Sequence, residues 1–477
     1  MVDELKGKKI LVVGLARSGV GAANLLASLG ADVIVNDIKG EDELSMFIKD
    51  LHPAVRLELG KHAEKIFLRS DMIVLSPGVP LTLKPLSEAI KNGIHVIGEL
   101  ELAYIAVNRW FSSLNNKLRF LAVTGTNGKS TTASLLDFTM RKGKFKTIFG
   151  GNIGNSLTGE LMRLVNDGSF RDIDFVVAEV SSFQLETIER FKPVGAVITN
   201  ITPDHMDRYH SMKEYIDAKA RIFQNQREGD FLILNADDEI LDDLYRSRIS
   251  GKSSDVPEVF FFSRKRGVKG VYLENGYICT DFGNRLDLLK GSFIKVEDIK
   301  IKGVHNLENA MAVIAMALLA GCDMNAVLMS LKEFKGLEHR VEFVREINGV
   351  KFFNDSKGTN VAAVIKSVES FREPIILIAG GRDKEGDFRA LRDVVRGRVK
   401  AMVLIGEAKG KIKDALKDVT EIIEAVDLKE AVLISYKIAN KGDVVLLSPA
   451  CASFDMFRNF EDRGEQFKKH VLELNNG

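Results

Sequence analysis

Cysteine is scarce in this sequence, with three residues among 477, and Cys279, Cys322 and Cys451 lie far apart in the chain. An odd number of widely spaced cysteines excludes a disulfide framework and the paired spacing of a structural zinc site. Long apolar runs are also missing: the longest, 310–322, is too short to span a bilayer and predicts a buried helix. We therefore expect neither a disulfide-stabilised protein nor a membrane protein.

An excess of charge of one sign is absent too. The 67 basic and 66 acidic residues leave a net charge of +1, so the chain as a whole lacks the basic footprint of a nucleic-acid-binding protein. The first residues lead straight into a strand-like run and do not have the pattern of a signal peptide. We therefore expect a cytoplasmic protein that binds neither nucleic acid nor membrane.

The composition is that of a soluble globular enzyme, with 45% apolar and 28% charged residues. A length of 477 residues predicts two to four domains. Strand-like runs, many of them continuous and β-branched, alternate with helix-length segments. This pattern predicts parallel strands covered by helices on both faces, and so an α/β fold of several doubly wound sheets. The runs are 10–13, 33–35, 72–75, 120–123, 175–180, 196–199, 231–234, 375–379, 402–405 and 444–447.

Two segments are candidate linkers, 109–117 and 333–340. They divide the chain into predicted domains 1–108, 109–336 and 337–477. Within the middle domain, 256–301 has short strand-like runs broken by glycines and polar residues, which predicts hairpins.

The most informative motif is a glycine loop between a predicted strand and a predicted helix, Val-Thr-Gly-Thr-Asn-Gly-Lys-Ser-Thr-Thr at 123–132. Glycines let backbone N–H groups close on an anion, and a helix N-terminus adds positive potential. Lys129 is placed to reach terminal phosphates, and the hydroxyl of Ser130 or Thr131 to hold Mg²⁺. The Walker spacing needs glycine at position 123, which is valine here, so we interpret the loop as a shorter variant. An ordinary glycine turn with a solvated lysine is the alternative.

A second phosphate-binding turn is predicted near the N-terminus, where Gly14-Leu-Ala-Arg-Ser-Gly19 follows the first strand. Asp37 ends the second strand, about 20 positions on, where a ribose contact is expected. The middle glycine of the dinucleotide fingerprint is missing, and Arg17 lies beside the predicted phosphate site. The sequence therefore gives only weak support for NAD as the ligand, and a uridine diphosphate fits as well. Residues 76–78 would form another wall of the site. A purely structural turn is the alternative.

Polar residues also follow two strands of the middle segment. Glu179 comes directly after one run, and 200–205 follows the next and ends in His205. Lys219 lies on the predicted helix 212–223. Because the carboxyl ends of parallel strands face one ligand crevice, we expect Glu179 and His205 to face the same phosphates as Ser130. A carboxylate and an imidazole can hold Mg²⁺ there, although either residue taken singly is more often structural.

Two further residues are candidates near the second linker. Asn306 opens the apolar helix and is either its cap or a contact to a nucleotide base. Arg340 is placed to act as a charge clamp on a γ-phosphate.

The last predicted domain carries polar clusters after three of its strands, at 354–360, 380–384 and 448–453. Their position at strand ends again indicates a ligand site. Thr359, Lys384 and Ser453 together would bind a small carboxylated ligand.

In this order, these motifs resemble those of the Mur ligase family of ATP-dependent amide-bond-forming enzymes, over essentially the whole chain. The motifs are Thr-Gly-Thr-Asn-Gly-Lys-Ser at 124–130, Glu-x-Ser-Ser at 179–182, Asn-x-Thr-x-Asp-His-x-Asp at 200–207, His-Asn-x-x-Asn at 305–309 and His-Arg at 339–340. Within the family, the C-terminal motifs at 354–360, 380–384 and 447–460 favour the members that add D-glutamate. The Asp-Asn-Pro-Arg-type motif of the members that add diaminopimelate or lysine is absent.

The resemblance implies three domains, each built on a mostly parallel, Rossmann-like sheet. Domain 1–108 would bind a UDP-sugar, the P-loop-type domain 109–336 would bind ATP, and domain 337–477 would bind the amino acid. The implied UDP-sugar-binding residues are Arg17, Ser18, Asp37, Ser76, Gly78 and Asn152. Those implied for ATP are Gly125, Thr126, Asn127, Gly128, Lys129, Ser130, Thr131, Asn306, Asn309, Arg340 and Asp355. Those implied for D-glutamate are Thr359, Lys384, Ser453 and Phe460.

The resemblance also implies a metal site and a set of catalytic residues. Mg²⁺ would be held by Ser130, Glu179, His205 and Lys219, the lysine after carbamoylation. The implied catalytic residues are Lys129, His205 and Lys219.

The implied activity is the joining of D-glutamate to UDP-N-acetylmuramoyl-L-alanine (UDP-MurNAc-L-Ala), with ATP and Mg²⁺, by a monomer acting in peptidoglycan precursor synthesis. ATP would convert the carboxylate to an acyl phosphate, which the amine then attacks. Folylpolyglutamate synthase or another family member is one alternative. A NAD-dependent oxidoreductase is a second, against which the missing glycine and the additional ATP-like site count. A non-catalytic nucleotide-binding regulator is a third, against which the polar clusters in all three predicted domains count.

Overall fold

In this computed structural model, three separate sheets organise the described part of the chain. The structure describes residues 5–112, 118–206, 208–251, 255–286, 290–383 and 386–474. The chain divides into a first unit, Met1–Asp298 with Glu308–Glu333, and a second unit, Ile299–Leu307 with Phe334–Gly477. Two of the sheets belong to the first unit and one to the second.

The first sheet has five parallel strands in the order β3-β2-β1-β4-β5. In β1, Ile10 and Val12 belong to one buried cluster and Leu11 and Val13 to another, so both faces of the sheet are covered. The strand order reverses between β1 and β4, where a doubly wound sheet binds its ligands. The strands are β1 (Lys9–Val13), β2 (Asp32–Asp37), β3 (Arg56–Leu59), β4 (Met72–Leu75) and β5 (His95–Gly98). The helices are α1 (Arg17–Ser28), α2 (Glu41–Ile48), α3 (Glu64–Leu68), α4 (Lys84–Lys91) and α5 (Glu99–Ser112).

The second sheet has nine strands in the order β14-β13-β12-β11-β10-β9-β6-β8-β7. Its strands from β11 to β7 pair in parallel, and β12, β13 and β14 form two hairpins, as predicted for 256–301. The strands are β6 (Arg119–Thr124), β7 (Thr147–Gly151), β8 (Phe175–Glu179), β9 (Gly195–Ile198), β10 (Phe231–Asn235), β11 (Glu258–Ser263), β12 (Gly270–Glu274), β13 (Tyr277–Asp281) and β14 (Gly291–Lys295). The helices are α6 (Lys129–Lys142), α7 (Leu157–Asn166), α8 (Ser182–Leu185), α9 (Met212–Ala220), α10 (Glu239–Arg248), α11 (Val304–Leu319) and α12 (Met324–Glu333).

Two buried carboxylates join the first sheet's helix α5 to the second sheet. Glu101 accepts the backbone N–H groups of Glu189, Arg190 and Phe191 at 3.0, 2.9 and 2.9 Å. Glu99 accepts both the backbone N–H and the hydroxyl of Thr158, at the start of α7. These bonds fix the two sheets of the first unit relative to each other, because a buried carboxylate cannot lose its donors cheaply.

The third sheet has six strands in the order β15-β16-β20-β17-β18-β19. Only the edge pair β15–β16 is antiparallel among the pairings described. The strands are β15 (Glu342–Ile347), β16 (Val350–Asn354), β17 (Ile375–Gly380), β18 (Val399–Ile405), β19 (Glu421–Glu424) and β20 (Val444–Leu447). The helices are α13 (Val361–Glu369), α14 (Arg392–Arg398), α15 (Lys409–Leu416), α16 (Leu428–Ile438) and α17 (Phe460–Leu472).

The predicted α/β class and its mostly parallel sheets are confirmed. Each of the ten strand-like runs overlaps a strand, and the apolar run 310–322 lies mainly in the buried helix α11. None of the helices in the part of the chain that the structure describes has the length and apolar character needed to cross a bilayer.

Candidate active site

The loop between β6 and α6 forms a preorganised cradle for an anion. Gly125 and Gly128 have φ angles of +144° and +83°, which side chains rarely adopt. A Cβ atom on Gly125 would overlap Thr199 Oγ1, and one on Gly128 would overlap Asn309 Oδ1. Helix α6 starts at Lys129, so Ser130 and Thr131 lie in its first turn. The backbone N–H groups of this turn therefore point towards the loop, as a phosphate site requires.

Neighbouring strand ends hold this loop in place. The Asn127 N–H donates to Asn200 Oδ1 at 2.9 Å, and Asn200 Nδ2 donates back to the Asn127 carbonyl at 3.0 Å. The Thr126 hydroxyl and the Tyr215 hydroxyl are 3.1 Å apart. Lys129 Nζ donates to the Thr126 carbonyl at 2.7 Å. A loop fixed in this way needs little reorganisation when an anion binds.

Lys219, on α9, is buried beneath the phosphate loop. Its side chain donates through Nζ to the Gly125 carbonyl at 2.7 Å, and the residue is 1% exposed. Nζ also lies 4.6 Å from the centroid of the Tyr215 ring. Burial, with a smaller contribution from Lys129, holds the pKa of Lys219 well below its usual value, against the opposing effect of Asp204 and Glu179. A lysine in this position favours the neutral amine.

Glu179 provides a buried carboxylate beside the loop. It is the last residue of β8, pairs with Val123 of β6 and is 1% exposed. Oε1 accepts a hydrogen bond from Asn152 Nδ2 at 2.8 Å, whereas Oε2 is buried without a hydrogen-bond partner among the described residues. Buried carboxylate oxygens are normally satisfied, so this oxygen indicates a missing cation or donor. This carboxylate oxygen and the buried Ser130 hydroxyl are oxygen ligands of the kind that Mg²⁺ prefers.

His205 lies in the loop after β9 and has a strained backbone, with φ of +57°. Its Nε2 is 3.7 Å from Asp204 Oδ2, and its ring packs edge-on against Phe183 of α8, with centroids 4.8 Å apart. Since α8 follows Glu179 in the chain, the structure brings His205 to the same group of loops. Asp207, the last residue of that sequence motif, lies outside the described residues.

At the first sheet, the loops after β1 and β4 meet at the reversal of strand order. The Ser76 hydroxyl donates to the Gly14 carbonyl at 2.8 Å. Asp37 accepts the backbone N–H groups of Leu15 at 2.7 Å and Lys39 at 3.0 Å. Asp37 therefore fixes the Gly14 turn, a role that the sequence did not indicate.

The other residues predicted for the UDP-sugar lie around this turn or near it. Arg17 and Ser18 begin α1, where Arg17 is exposed, and Gly78 is exposed in the loop after β4. Asn152 lies instead directly after β7 and bonds to Glu179. A small pocket adjoins the β4 loop, lined by residues that include Ser76, Glu99, Phe183 and Arg208.

In the second unit, Asp355 follows β16 and is deeply buried. Ser367 and Ser448 both donate to its Oδ2 at 2.7 Å. Burial raises the pKa of Asp355 to about 6, although the two hydroxyl donors and the nearby Arg340 act in the opposite direction. Burial contributes most to lowering the pKa of His305 to about 4, and Lys366 and then Arg340 lower it further. The predicted ATP-binding residues Arg340 and Asp355 thus lie close together.

The two asparagines predicted to bind ATP lie on α11 but have different surroundings. Asn306 Nδ2 donates to the Lys302 carbonyl at 2.8 Å, within the second unit. Asn309 belongs to the first unit and accepts a hydrogen bond from the Thr132 hydroxyl at 3.1 Å. Asn309 is therefore part of the phosphate cradle.

The loops after the adjacent strands β16, β20 and β17 also come together. The Ala450 N–H donates to the Gly358 carbonyl and the Gly380 N–H to the Pro449 carbonyl, both at 2.9 Å. The Ser356 hydroxyl donates to the Phe460 carbonyl at 2.8 Å. Thr359, Ser453 and Phe460 lie on these loops or at the start of α17. Lys384, also predicted to bind D-glutamate, lies outside the described residues.

Two residues that organise these loops were not predicted from the sequence. Tyr215 contacts both Thr126 and Lys219, and Arg463 reaches the loops after β16 and β20. For Arg463, the available signal was its spacing with Phe467 and Val471 at i, i+4 and i+8, which places it on the buried face of α17.

Three family models match this chain. The Mur ligase MurD-like N-terminal domain matches residues 8–98, the Mur ligase middle domain matches 123–317, and the Mur ligase glutamate ligase domain matches 339–451. These matches cover each of the three sheets.

The chain is similar over its full length to proteins named UDP-N-acetylmuramoylalanine--D-glutamate ligase. The protein of this name from Geotalea daltonii is 46% identical over 476 residues, covering 99% of both chains. That from Clostridioides difficile is 43% identical over 476 residues, covering 99% of this chain and 100% of the relative.

Among solved structures, the fold is similar to UDP-N-acetylmuramate-alanine ligase from Thermotoga maritima. The TM-score is 0.58 at 20% sequence identity, with 98% of this chain and 99% of the other covered. At that identity, the likeness shows the shared fold alone.

Proposed function

This chain belongs to the Mur ligase family, and from that premise we propose that it joins D-glutamate to UDP-MurNAc-L-Ala, using ATP, in peptidoglycan precursor synthesis. The observation that carries the proposal is the preformed phosphate loop, closed over the buried Lys219 and beside the buried Glu179. Full-length similarity to D-glutamate ligases supports the choice of amino acid. The need for ATP and for a soluble nucleotide-sugar favours action in the cytoplasm, and a monomer would suffice for these substrates.

The chemistry begins with a carboxylate, which is a poor acyl donor because its leaving group would be oxide. Transfer of the γ-phosphoryl group of ATP to the alanyl carboxylate gives an acyl phosphate and ADP. The amine of D-glutamate then attacks the acyl carbon, the C–O bond to phosphate breaks, and the amine proton is lost. The chain's task is to position three substrates and to balance phosphate charge.

Each of the loops described above has a part in this task. The N–H groups around Gly125 and Gly128 would bind the ATP phosphates, and Lys129 would leave the Thr126 carbonyl to reach a transferring phosphoryl group. Arg340 would add positive charge near the nucleotide. Asp37 would keep the Gly14 turn in the conformation that receives the UDP-sugar.

The donor set at the middle loops fits Mg²⁺. Ser130, Glu179 and His205 would hold it, together with Lys219 as a carbamate. When bound, Mg²⁺ would neutralise charge on the phosphate oxygens. The neutral amine favoured at Lys219 is the form that adds to carbon dioxide, and loss of one proton then gives the carbamate.

D-Glutamate carries two carboxylates and needs cationic and hydroxyl partners. Thr359, Ser453 and Lys384 would supply these, and Phe460 would cover the methylene groups. The convergence of the loops after β16 and β20 on the start of α17 supports this assignment.

Phosphate release from ATP, measured with UDP-MurNAc-L-Ala and one amino acid at a time, tests the proposal. We expect release with D-glutamate and little with L-glutamate, L-alanine or meso-diaminopimelate. With an ¹⁸O-labelled alanyl carboxylate, label should appear in the released phosphate, as an acyl phosphate requires. Release that is independent of the UDP substrate, or strongest with another amino acid, would contradict the proposal.

A further inference from the structure

Arg463 is a fully buried arginine at the meeting point of the loops assigned above to D-glutamate. It lies in the first turns of α17 and is 0% exposed. Nε donates to the Ser356 hydroxyl at 3.0 Å, and Nη2 donates to the Ser356 carbonyl at 2.8 Å. Both terminal nitrogens donate to the Cys451 carbonyl at 3.2 Å. One side chain therefore ties the loop after β16 to the loop after β20.

The third loop of this group lies close to the guanidinium. A Cβ atom on Gly381, in the loop after β17, would lie 3.3 Å from Arg463 Nη1. Gly381 has a φ of +131°, so its backbone is held in a conformation that suits glycine. The guanidinium thus packs close to the loops after β16, β17 and β20.

The partners of Arg463 satisfy its hydrogen bonds but not its charge. Among the described residues, its acceptors are a hydroxyl and backbone carbonyls, all of them neutral. Burial lowers the pKa of Arg463 to about 10, although Asp455 and Asp355, which do not bond to the guanidinium, favour its charged form. A buried charge without an ion-pair partner is costly to the fold, which indicates a use for it.

We propose that Arg463 is a positioning residue for D-glutamate: it ties the loops after β16 and β20 together, packs beside the loop after β17, and supplies buried positive charge that favours a dianionic amino acid. The form of D-glutamate that attacks has a neutral amine and two carboxylates, so it carries two negative charges. A fixed cation behind the loops stabilises that form through a site that water screens poorly. This inference rests on the proposed function.

The test compares Arg463→Met, which keeps volume without charge, with Arg463→Lys, which keeps charge. For Arg463→Met we expect the KM for D-glutamate to rise by about tenfold or more and the KM for ATP to stay within about twofold. Arg463→Lys should reverse a large part of this rise in the KM for D-glutamate. The control is Arg458→Met, which removes an exposed arginine near the start of α17 and should change neither KM.

A second substrate separates the effect of the charge of Arg463 from its effect on the loop structure. D-Glutamine lacks one of the two carboxylates, so Arg463→Met should lower its kcat/KM by a smaller factor than that of D-glutamate. If Arg463→Met does not fold, as judged by circular dichroism and Tm, Arg463→Lys and Arg463→Gln give the same comparison. The lysine variant should then have the lower KM for D-glutamate.

Equal losses for the two substrates, or equal KM values for the lysine variant and the uncharged variant, would overturn the inference. It is also overturned, with the proposed function intact, if wild type uses D-glutamate and Arg463→Met is kinetically unchanged. If wild type does not use D-glutamate at all, the proposed function and this inference fall together.

Discussion

Replacing Lys219 by methionine should remove a pH-dependent part of the protein's stability together with its activity. Methionine keeps an unbranched side chain in the space beneath the phosphate loop but cannot donate to the Gly125 carbonyl. It also removes the only titratable group of that side chain. The change therefore isolates the protonation of one buried amine.

The magnitude follows from proton linkage. Burial depresses the pKa of Lys219 in the folded protein, so at alkaline pH the unfolded chain binds one more proton at this position than the folded protein does. Between the depressed folded pKa and the ordinary lysine value, wild-type stability must rise with pH by about 1.4 kcal/mol per pH unit from this group. Below the folded pKa, both states bind the proton and the slope disappears. Lys219→Met lacks the contribution at every pH.

The measurement is the free energy of unfolding in urea, for wild type and Lys219→Met, at about pH 8.5 and about pH 9.5. Buffers must be free of carbon dioxide, because a Lys219 amine converted to a carbamate would no longer titrate as an amine. The difference between wild type and variant should change by about 1.4 kcal/mol in favour of wild type as pH rises. Lys91→Met, at a lysine whose side chain is 70% exposed, is the matched control and should show no such change.

The same variant should lose most ligation activity, and short carboxylates such as acetate should partly restore it. A wild-type-to-variant difference that stays constant with pH would show that Lys219 is charged in the folded protein. Full activity, or an activity that added carboxylates leave unchanged, would refute its place in the metal site.

Three further substitutions test other parts of the site and its scaffold. Lys129→Ala should abolish phosphate release, a loss of about 3 kcal/mol or more in transition-state stabilisation, with Tm unchanged; near-normal turnover would remove Lys129 from the mechanism. Asp37→Asn should raise the KM for the UDP substrate but not that for ATP, because it weakens the bond to the Leu15 N–H; equal effects on both would argue against a local role. Glu101→Gln should destabilise the first unit by about 2–4 kcal/mol, since all three N–H donors lose a charged acceptor and at least one of them then faces an amide NH2 group; calorimetry would measure the fall in Tm.

Central strands could be predicted from the sequence because their apolar runs are continuous. Runs such as 72–75 and 444–447 are buried on both faces, and their strands have those bounds. The edge strands Arg56–Leu59 and Glu421–Glu424 were missed, because half of their residues face solvent and their pattern is short and polar. Position in the sheet, rather than local preference, makes these segments strands.

The phosphate loop was also predictable, because its chemistry is local in sequence. Glycines, a lysine and two hydroxyls follow one strand, and the structure adds only their partners. Arg463 and the role of Asp37 could not be predicted in the same way. Each acts through backbone groups of segments that only the folded chain brings near, Arg463 over 107 residues and Asp37 over 22.

A competition experiment tests the central claim most directly. The protein is incubated with ATP, Mg²⁺, UDP-MurNAc-L-Ala and equal concentrations of D-glutamate, L-glutamate, L-alanine and meso-diaminopimelate, with the two glutamates distinguished by isotopic labelling. Mass spectrometry of the nucleotide-sugar product should then show one added glutamate, carrying the label of the D isomer. A product that carries L-glutamate, alanine or diaminopimelate, or no ATP-dependent product at all, would contradict the assignment of this chain as a D-glutamate-adding ligase.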